Sequence, residues 1–111
     1  YPSPSIEQKI LKNYASAVNV HDDDFCKRLV DWADIIRKTF YDGGIEEIIS
    51  TRRLVHIIRA YAIFNNKAKA IQTCTNRFDD ETKQSFLELY DKVDADFDFN
   101  KAEDQAYQED A

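Results

Sequence analysis

Helix breakers are confined to two places in this chain of 111 residues. Both prolines lie within the first four residues, and both glycines are adjacent, at Gly43 and Gly44. Proline removes a backbone donor and glycine loosens a helix, so their scarcity elsewhere favours helices. The sequence therefore predicts an all-α protein, a compact bundle of about five helices joined by short connections.

Hydrophobic spacing predicts where the five helices lie. Ser3, Ser50 and either Asp79 or Asp80 are the predicted N-caps of the first, third and fifth helices. The apolar link of Ile45, Ile48 and Ile49 is either a bridging strand or an extended turn. The first four predicted helices are, in chain order, Pro4 to Ala17, about Asp23 to Tyr41, Ser50 to about Asn65, and about Lys67 to Arg77. The fifth is capped by Asp79 or Asp80 and carries Phe86, Leu89, Tyr90 and Val93 at helical spacing.

The charge of the chain is unevenly distributed. Lys and Arg number 15 against 21 Asp and Glu, and this acidic balance disfavours nucleic-acid partners. Residues 95–111 hold six of the acids and a single lysine. We therefore predict a helical domain over residues 1–94 and a mobile acidic tail over residues 95–111, with Phe97, Phe99 and Tyr107 as its only anchors.

Other simple features bear on location. The longest stretch without Asp, Glu, Lys or Arg is the nine residues from Asn13 to His21, whereas a membrane-spanning helix needs about 20 apolar residues. Cys26 and Cys74 are too few for a disulfide framework and too far apart for a CxxC metal site. We predict a cytoplasmic protein that does not enter the membrane. Since the chain opens on Tyr1, we expect it to be part of a longer protein.

Few side chains suggest catalysis or metal binding. The segment from His21 to Asp24 could supply ligands to a divalent ion, but acidic residues also favour a helix start, which is the preferred interpretation. His56 is expected to be a partly buried structural residue. Cys26 and Cys74 are expected to pack as small apolar side chains. No catalytic residue and no metal site is predicted.

Two arginines at the start of the third predicted helix break a local preference. Arg52 and Arg53 follow Ser50 and Thr51 in the first turn, where exposed backbone N–H groups already make the field positive. Guanidinium groups beside such donors can bind an anion such as phosphate. Spacing alone favours the other interpretation, in which the two arginines lie on the surface and are neutralised by the neighbouring pair Glu46-Glu47.

Three stretches together resemble the helical lid of AAA+ ATPases of the MoxR and CobS-like group. Residues 1–11 (YPSPSIEQKIL) resemble the passage from the last strand of the ATPase core into the lid. Residues 49–54 (ISTRRL), followed by 59–62 (RAYA), resemble the Ser-Pro-Arg segment and the helix that it opens. Residues 75–81 (TNRFDDE), followed by 88–93 (ELYDKV), are similar to the closing helices of CobS-like ATPases.

This resemblance implies a role for the third helix. The Ser-Pro-Arg segment holds the family's sensor 2 arginine, which reaches the terminal phosphate of bound nucleotide. That role is implied for Arg52, with Arg53 as the alternative, while Thr51 stands where the family usually has proline. The chain has no GxxxxGK[ST] loop, so ATP and Mg would be bound by an upstream core. We expect the isolated lid to hydrolyse no ATP and to hold no cofactor.

The resemblance also implies partners. The lid would contact its own ATPase core and neighbouring ring subunits, and a chelatase partner subunit is a further candidate. CobS-like ATPases work in inserting cobalt into a corrin ring, and MoxR relatives are chaperones for metal or cofactor insertion. The alternative function, from another class, is a stand-alone helical interaction module whose acidic tail recruits a basic partner.

Overall fold

The computed structural model describes residues 3–44 and 47–94, and these residues form five α-helices and no strand. The all-α prediction is therefore confirmed for this part of the chain. The predicted mobility of the tail, and its anchors Phe97, Phe99 and Tyr107, lie outside the described residues. The helices are α1 Pro4–Ala17, α2 Asp23–Tyr41, α3 Thr51–Phe64, α4 Lys67–Thr75 and α5 Asp80–Val93.

Each helix begins at a side chain that caps it. The predicted caps Ser3 and Ser50 are confirmed, and Asp79 rather than Asp80 caps α5. Asp22 and Asn66 cap α2 and α4. In every case the side-chain oxygen accepts the backbone N–H of the residue three positions later. These bonds satisfy donors that a helix start otherwise leaves unpaired.

Three helices end beside residues with left-handed backbone, the first of which is Asn19, two residues after α1, with φ 62°. Gly43 follows α2 with φ +82°, and Asn65 ends α3 with φ 52°. Glycine and asparagine tolerate this conformation best. The predicted stops after Tyr41 and near Asn65 are thus confirmed.

Helix α2 is central to the core, and its Trp32 is fully buried. The indole Nε1 donates to the Phe86 carbonyl at 2.8 Å. The indole ring also makes edge-to-face contacts with Phe86 and Tyr90 of α5, at centroid distances of 6.3 and 5.6 Å. Arg28, near the start of α2, donates to the carbonyl of Val93 at the end of α5. Helices α2 and α5 therefore run antiparallel.

One helix boundary differs from the sequence prediction, and one open alternative is resolved. Helix α4 ends at Thr75, before the predicted Arg77, because the Phe78 N–H bonds the Thr75 carbonyl and closes a tight turn. That turn brings the Phe78 ring to 5.0 Å from the Phe86 ring. Residues 47–50 have irregular backbone, so Ile48 and Ile49 do not form a strand, which agrees with the extended-turn alternative. Ile45 lies outside the described residues.

No helix among the described residues is long and apolar enough to cross a bilayer. The cytoplasmic location remains a prediction.

Candidate functional site

A buried ion pair lies directly beneath the start of α3. Glu7 of α1 is 1% exposed and Arg37 of α2 is 8% exposed. Nη1 and Nη2 of Arg37 donate to Oε1 and Oε2 of Glu7 at 2.9 and 2.8 Å. This bidentate geometry is the strong form of a guanidinium–carboxylate contact. The pair joins the start of α1 to the end of α2.

The same pair holds the first residues of α3. The Thr51 hydroxyl donates to Oε2 of Glu7 at 2.6 Å. The carbonyl of Ile49 accepts from Nε and Nη2 of Arg37 at 3.2 and 3.1 Å. Ile49 itself is 1% exposed. Since buried polar groups that are fully hydrogen-bonded rigidify their surroundings, the chain that enters α3 is fixed on both sides of its N-cap, Ser50.

Arg52 and Arg53 project from this fixed start. Arg52 is exposed and Arg53 is partly exposed. Within residues 3–44 and 47–94, no carboxylate lies within ion-pairing distance of either guanidinium. Glu47 is exposed and pairs with neither arginine, while Glu46 lies outside the described residues. The sequence favoured neutralisation of the two arginines by Glu46 and Glu47. Glu47 does not form that ion pair among the described residues.

The backbone at the same place also offers donors. The Arg53 N–H bonds the Ser50 hydroxyl and carbonyl, and the Leu54 N–H bonds the Ser50 carbonyl. Among the described atoms, the N–H groups of Thr51 and Arg52 have no such partner. An exposed guanidinium beside free N–H groups at the positive end of a helix is suited to bind a phosphate oxygen.

The second predicted cluster is a helix start. Asp22 accepts the Phe25 N–H at 3.0 Å and pairs with Lys67 at 2.9 Å. Burial raises the pKa of Asp22, but the hydrogen bond from Lys67 and the Phe25 N–H outweigh burial and leave this pKa below its usual value. His21 and Asp22 line a groove of about 460 Å³ together with Tyr61. No group of three metal-ligating side chains occurs among the described residues.

The remaining singled-out residues have structural settings. Cys26 is buried and Cys74 packs against the core, as predicted. Burial, with a smaller contribution from nearby carboxylates, raises the pKa of the Cys26 thiol to about 11. Burial also raises the pKa of Cys74. His56 is exposed, so its predicted partial burial is wrong: it lies on the outer face of α3 with Arg52.

Sequence reasoning missed Glu7 and Arg37 as a pair. A signal was present, because each charged residue lies on the apolar face of its helix. Glu7 precedes the buried residues Leu11 and Ala15 by one and two helical steps of four. Arg37 follows the buried residue Ala33 by one helical step of four. A charge in an apolar stripe needs a partner, but the sequence alone does not identify which helix supplies it.

Comparison with known proteins gives one family. A family model described as CbbQ/NirQ/NorQ C-terminal matches residues 7–93. This match begins at Glu7 and includes the ion pair, Thr51 and both candidate arginines. Searches of curated proteins and of solved structures gave no significant match.

Proposed function

Because the chain belongs to the CbbQ/NirQ/NorQ C-terminal family, a helical lid of MoxR-like AAA+ ATPases, we propose that it couples ATP bound by an ATPase core to movements of a ring. In this proposal Arg52 is the sensor 2 arginine, with Arg53 as the alternative. The observation that supports Arg52 most is its exposure at a rigidly held helix start without a carboxylate partner among the described residues. The family match favours the lid over a stand-alone interaction module.

The groups at this site fit the terminal phosphate of a nucleotide. The core would bind ATP with Mg, and hydrolysis of the bond to the terminal phosphate would drive movement of the ring. Arg52, or Arg53, would hold that phosphate from the lid side, and the Thr51 and Arg52 N–H groups would add to the positive field. Since a guanidinium interacts differently with ATP and ADP, this contact would shift the balance between two lid positions.

The ion pair beneath the site would then be a positioning element. Glu7, Arg37 and Thr51 connect three helices at the point from which Arg52 projects. A contact made or lost at Arg52 would be transmitted to the whole helical unit, because the start of α3 does not move independently of α1 and α2. The lid would therefore rotate as one body.

The experiment replaces Arg52 with Ala in the ATPase polypeptide that contains this lid. A hydrogen bond to a charged group contributes about 1.5–3 kcal/mol, so we expect turnover or nucleotide affinity to fall about ten-fold to a hundred-fold. Arg53→Ala is tested in parallel to decide between the two arginines. Arg59→Ala is the matched control, because Arg59 is an exposed arginine on the same helix, about two turns further along.

The folded state should be unaffected by Arg52→Ala, since Arg52 has no described ion pair to lose. Thermal unfolding of the variant therefore serves as a check that lost activity is not lost folding. Unchanged turnover and nucleotide affinity in both Arg52→Ala and Arg53→Ala would rule out the sensor assignment.

We infer a more specific client from the closing helices. Residues 75–81 and 88–93 resemble those of CobS-like ATPases, which work in inserting cobalt into a corrin ring, whereas MoxR relatives act more widely in metal or cofactor insertion. Asp79 of the first segment caps α5, so this resemblance falls on residues that define a helix boundary. Cobalt insertion by the purified ATPase with a chelatase partner, Co²⁺, a corrin substrate and ATP tests the cobalt assignment. ATP hydrolysis without cobalt insertion would refute it and leave the wider role.

A further inference from the structure

His56 is an exposed histidine that lies between the two candidate sensor arginines. It follows Arg52 by four residues and Arg53 by three, and residues at these two spacings are neighbours on a helix surface. Around the helix axis, His56 is about 40° from Arg52 on one side and about 60° from Arg53 on the other. We call Arg52, Arg53 and His56 the α3 basic cluster.

The imidazole of His56 is directed towards the start of α3. Side chains of an α-helix tilt towards its N-terminus and cover the turn that precedes their own Cα. For His56 that turn contains Arg52 and Arg53, whose Cβ atoms lie about 5–6 Å from its own. A terminal phosphate group has three acceptor oxygens, so one phosphate at the start of α3 can accept from an arginine and from the imidazole together.

The imidazole has no described partner that it would have to leave. No ion pair within residues 3–44 and 47–94 includes His56, and its side chain is exposed. The buried residues of α3 are Leu54, Ile57 and Ile58, on the opposite side of the helix. His56 is therefore available to a ligand that approaches the outer face of α3.

The charged neighbours of His56 on its own helix are all cations. Besides Arg52 and Arg53, Arg59 lies three residues after it and is exposed. Glu47, in the link before α3, is exposed and forms no ion pair with a described residue. A negative charge on this face would thus come from a ligand and not from α3.

The helices that contact α3 are α1, α2 and α4. Helices α1 and α4 contain a single carboxylate, Glu7, which is buried against Arg37. Their other charged residues are Lys9, Lys12, Lys67 and Lys69.

Helix α2 lies on the side of α3 away from His56. Its Phe25 ring contacts the Tyr61 ring at 5.1 Å, and Tyr61 follows Arg52 by nine residues, about two and a half turns. The charged residues of α2 are Asp23, Asp24, Lys27, Arg28, Asp31, Asp34, Arg37 and Lys38. The carboxylates of α2 are therefore separated from His56 by the body of α3.

We propose that His56, in its protonated form, binds the terminal phosphate of ATP together with the sensor arginine, so that ATP binding strengthens as pH falls from about 8 to about 6. A bound phosphate favours the charged imidazole, because opposite charges within about 4–6 Å attract. The proton then favours the nucleotide to the same extent. This inference rests on the proposed function, and it holds for either arginine, since His56 neighbours both.

The test measures the dissociation constant of a non-hydrolysable ATP analogue with Mg, at pH 6 and pH 8, for the ATPase polypeptide that contains this lid. His56→Gln is neutral at both pH values. Relative to this variant, the native protein should bind about five-fold more tightly at pH 6 and about equally at pH 8. His56→Lys is charged at both pH values, so it should bind more tightly than His56→Gln at both.

Two controls separate this effect from other titrations. The titration of ATP itself and of the core is common to all variants, so it cancels in the comparison with His56→Gln. His21→Gln is the matched control, because His21 is the other histidine of the chain and is exposed in the link before α2; the native pH dependence should remain. ADP lacks the terminal phosphate, so its affinity should show little dependence on His56.

The same pH dependence in the native protein and in His56→Gln would overturn the proposal. An effect of His56 on ADP as large as that on the ATP analogue would also overturn it, since the contact would not be with the terminal phosphate. If Arg52→Ala or Arg53→Ala weakens binding at both pH values while His56→Gln keeps the native pH dependence, only the role of His56 is wrong. If neither arginine variant weakens binding at either pH, the sensor assignment fails, and the shared contact fails with it.

Discussion

Breaking the buried pair of Glu7 and Arg37 should strongly destabilise the lid. The Glu7 carboxylate is 1% exposed and accepts two described hydrogen bonds from Arg37 and one from Thr51. Replacing Arg37 with Met would leave only the bond from Thr51. Removing one partner of a buried ion pair costs about 3–5 kcal/mol. For a domain of this size 1 kcal/mol corresponds to about 4 °C, so Tm should fall by roughly 12–20 °C.

The double variant Glu7→Leu/Arg37→Met tests the reasoning more sharply than either single variant. It replaces both charges by apolar side chains and leaves no uncompensated buried charge, a change that is often close to neutral. Only the Ile49 carbonyl and the Thr51 hydroxyl lose described partners, at a cost of about 1–2 kcal/mol. The double variant should therefore be more stable than either single variant.

Urea unfolding followed by far-UV circular dichroism and by fluorescence of Trp32, the only tryptophan, measures these differences. The coupling energy from the double-mutant cycle should be about 3 kcal/mol or more. Lys38→Met is the matched control, because Lys38 is the next residue, is exposed and, within the described part of the chain, pairs with Asp34 at the surface. The urea midpoint of this variant should hardly change. Additive losses, with the double variant the least stable, would refute the argument.

Two further predictions concern titratable groups. Asp22→Asn keeps the cap of α2 but removes the charge that faces Lys67, so it should cost about 0.5–1 kcal/mol at neutral pH. Because the pKa of Asp22 is lowered in the folded state, its carboxylate stabilises the fold above the unfolded pKa of 3.8, and this stabilisation is lost as pH falls through the folded pKa. If urea titrations show that Asp22→Asn is still less stable than the native chain at pH ~2, the charge of Asp22 is not the cause. The Cys26 thiol, with its pKa raised to about 11, should react with a thiol reagent at neutral pH only after unfolding. Rapid modification of Cys26 in the native chain, read by peptide mass spectrometry, would exclude its burial.

Local patterns predicted the helices well because local physics decides them. Ser3, Ser50 and Asp79 were identifiable as caps, since a capping side chain acts on a donor only three residues away. The stop at Gly43 was equally visible, because a left-handed residue needs no distant partner. The end of α4 was predicted two residues too late, since the turn at Phe78 directs its ring onto Phe86 of another helix.

The candidate site was only half predictable. Arg52 and Arg53 stood out because they oppose the field of their own helix. The pairing of Glu7 with Arg37 joins residues 30 positions apart, and only the packing of α1 on α2 brings them together. The exposure of His56 was missed for the same reason, since the side of α3 that faces α1 and α4 is set by the fold.

Thr51 combines a local sequence pattern with a contact that only the packing of the helices creates. The resembling Ser-Pro-Arg segment has proline at this position, which is suited to the first turn of a helix through its fixed φ and missing N–H. Threonine lacks that advantage, but its hydroxyl donates to Glu7 at 2.6 Å, a bond that proline does not make. In this chain the start of α3 is therefore held by a hydrogen bond to a buried carboxylate and not by a rigid ring. The direction in which Arg52 projects thus depends on residues of α1 and α2 that lie far from it in the sequence.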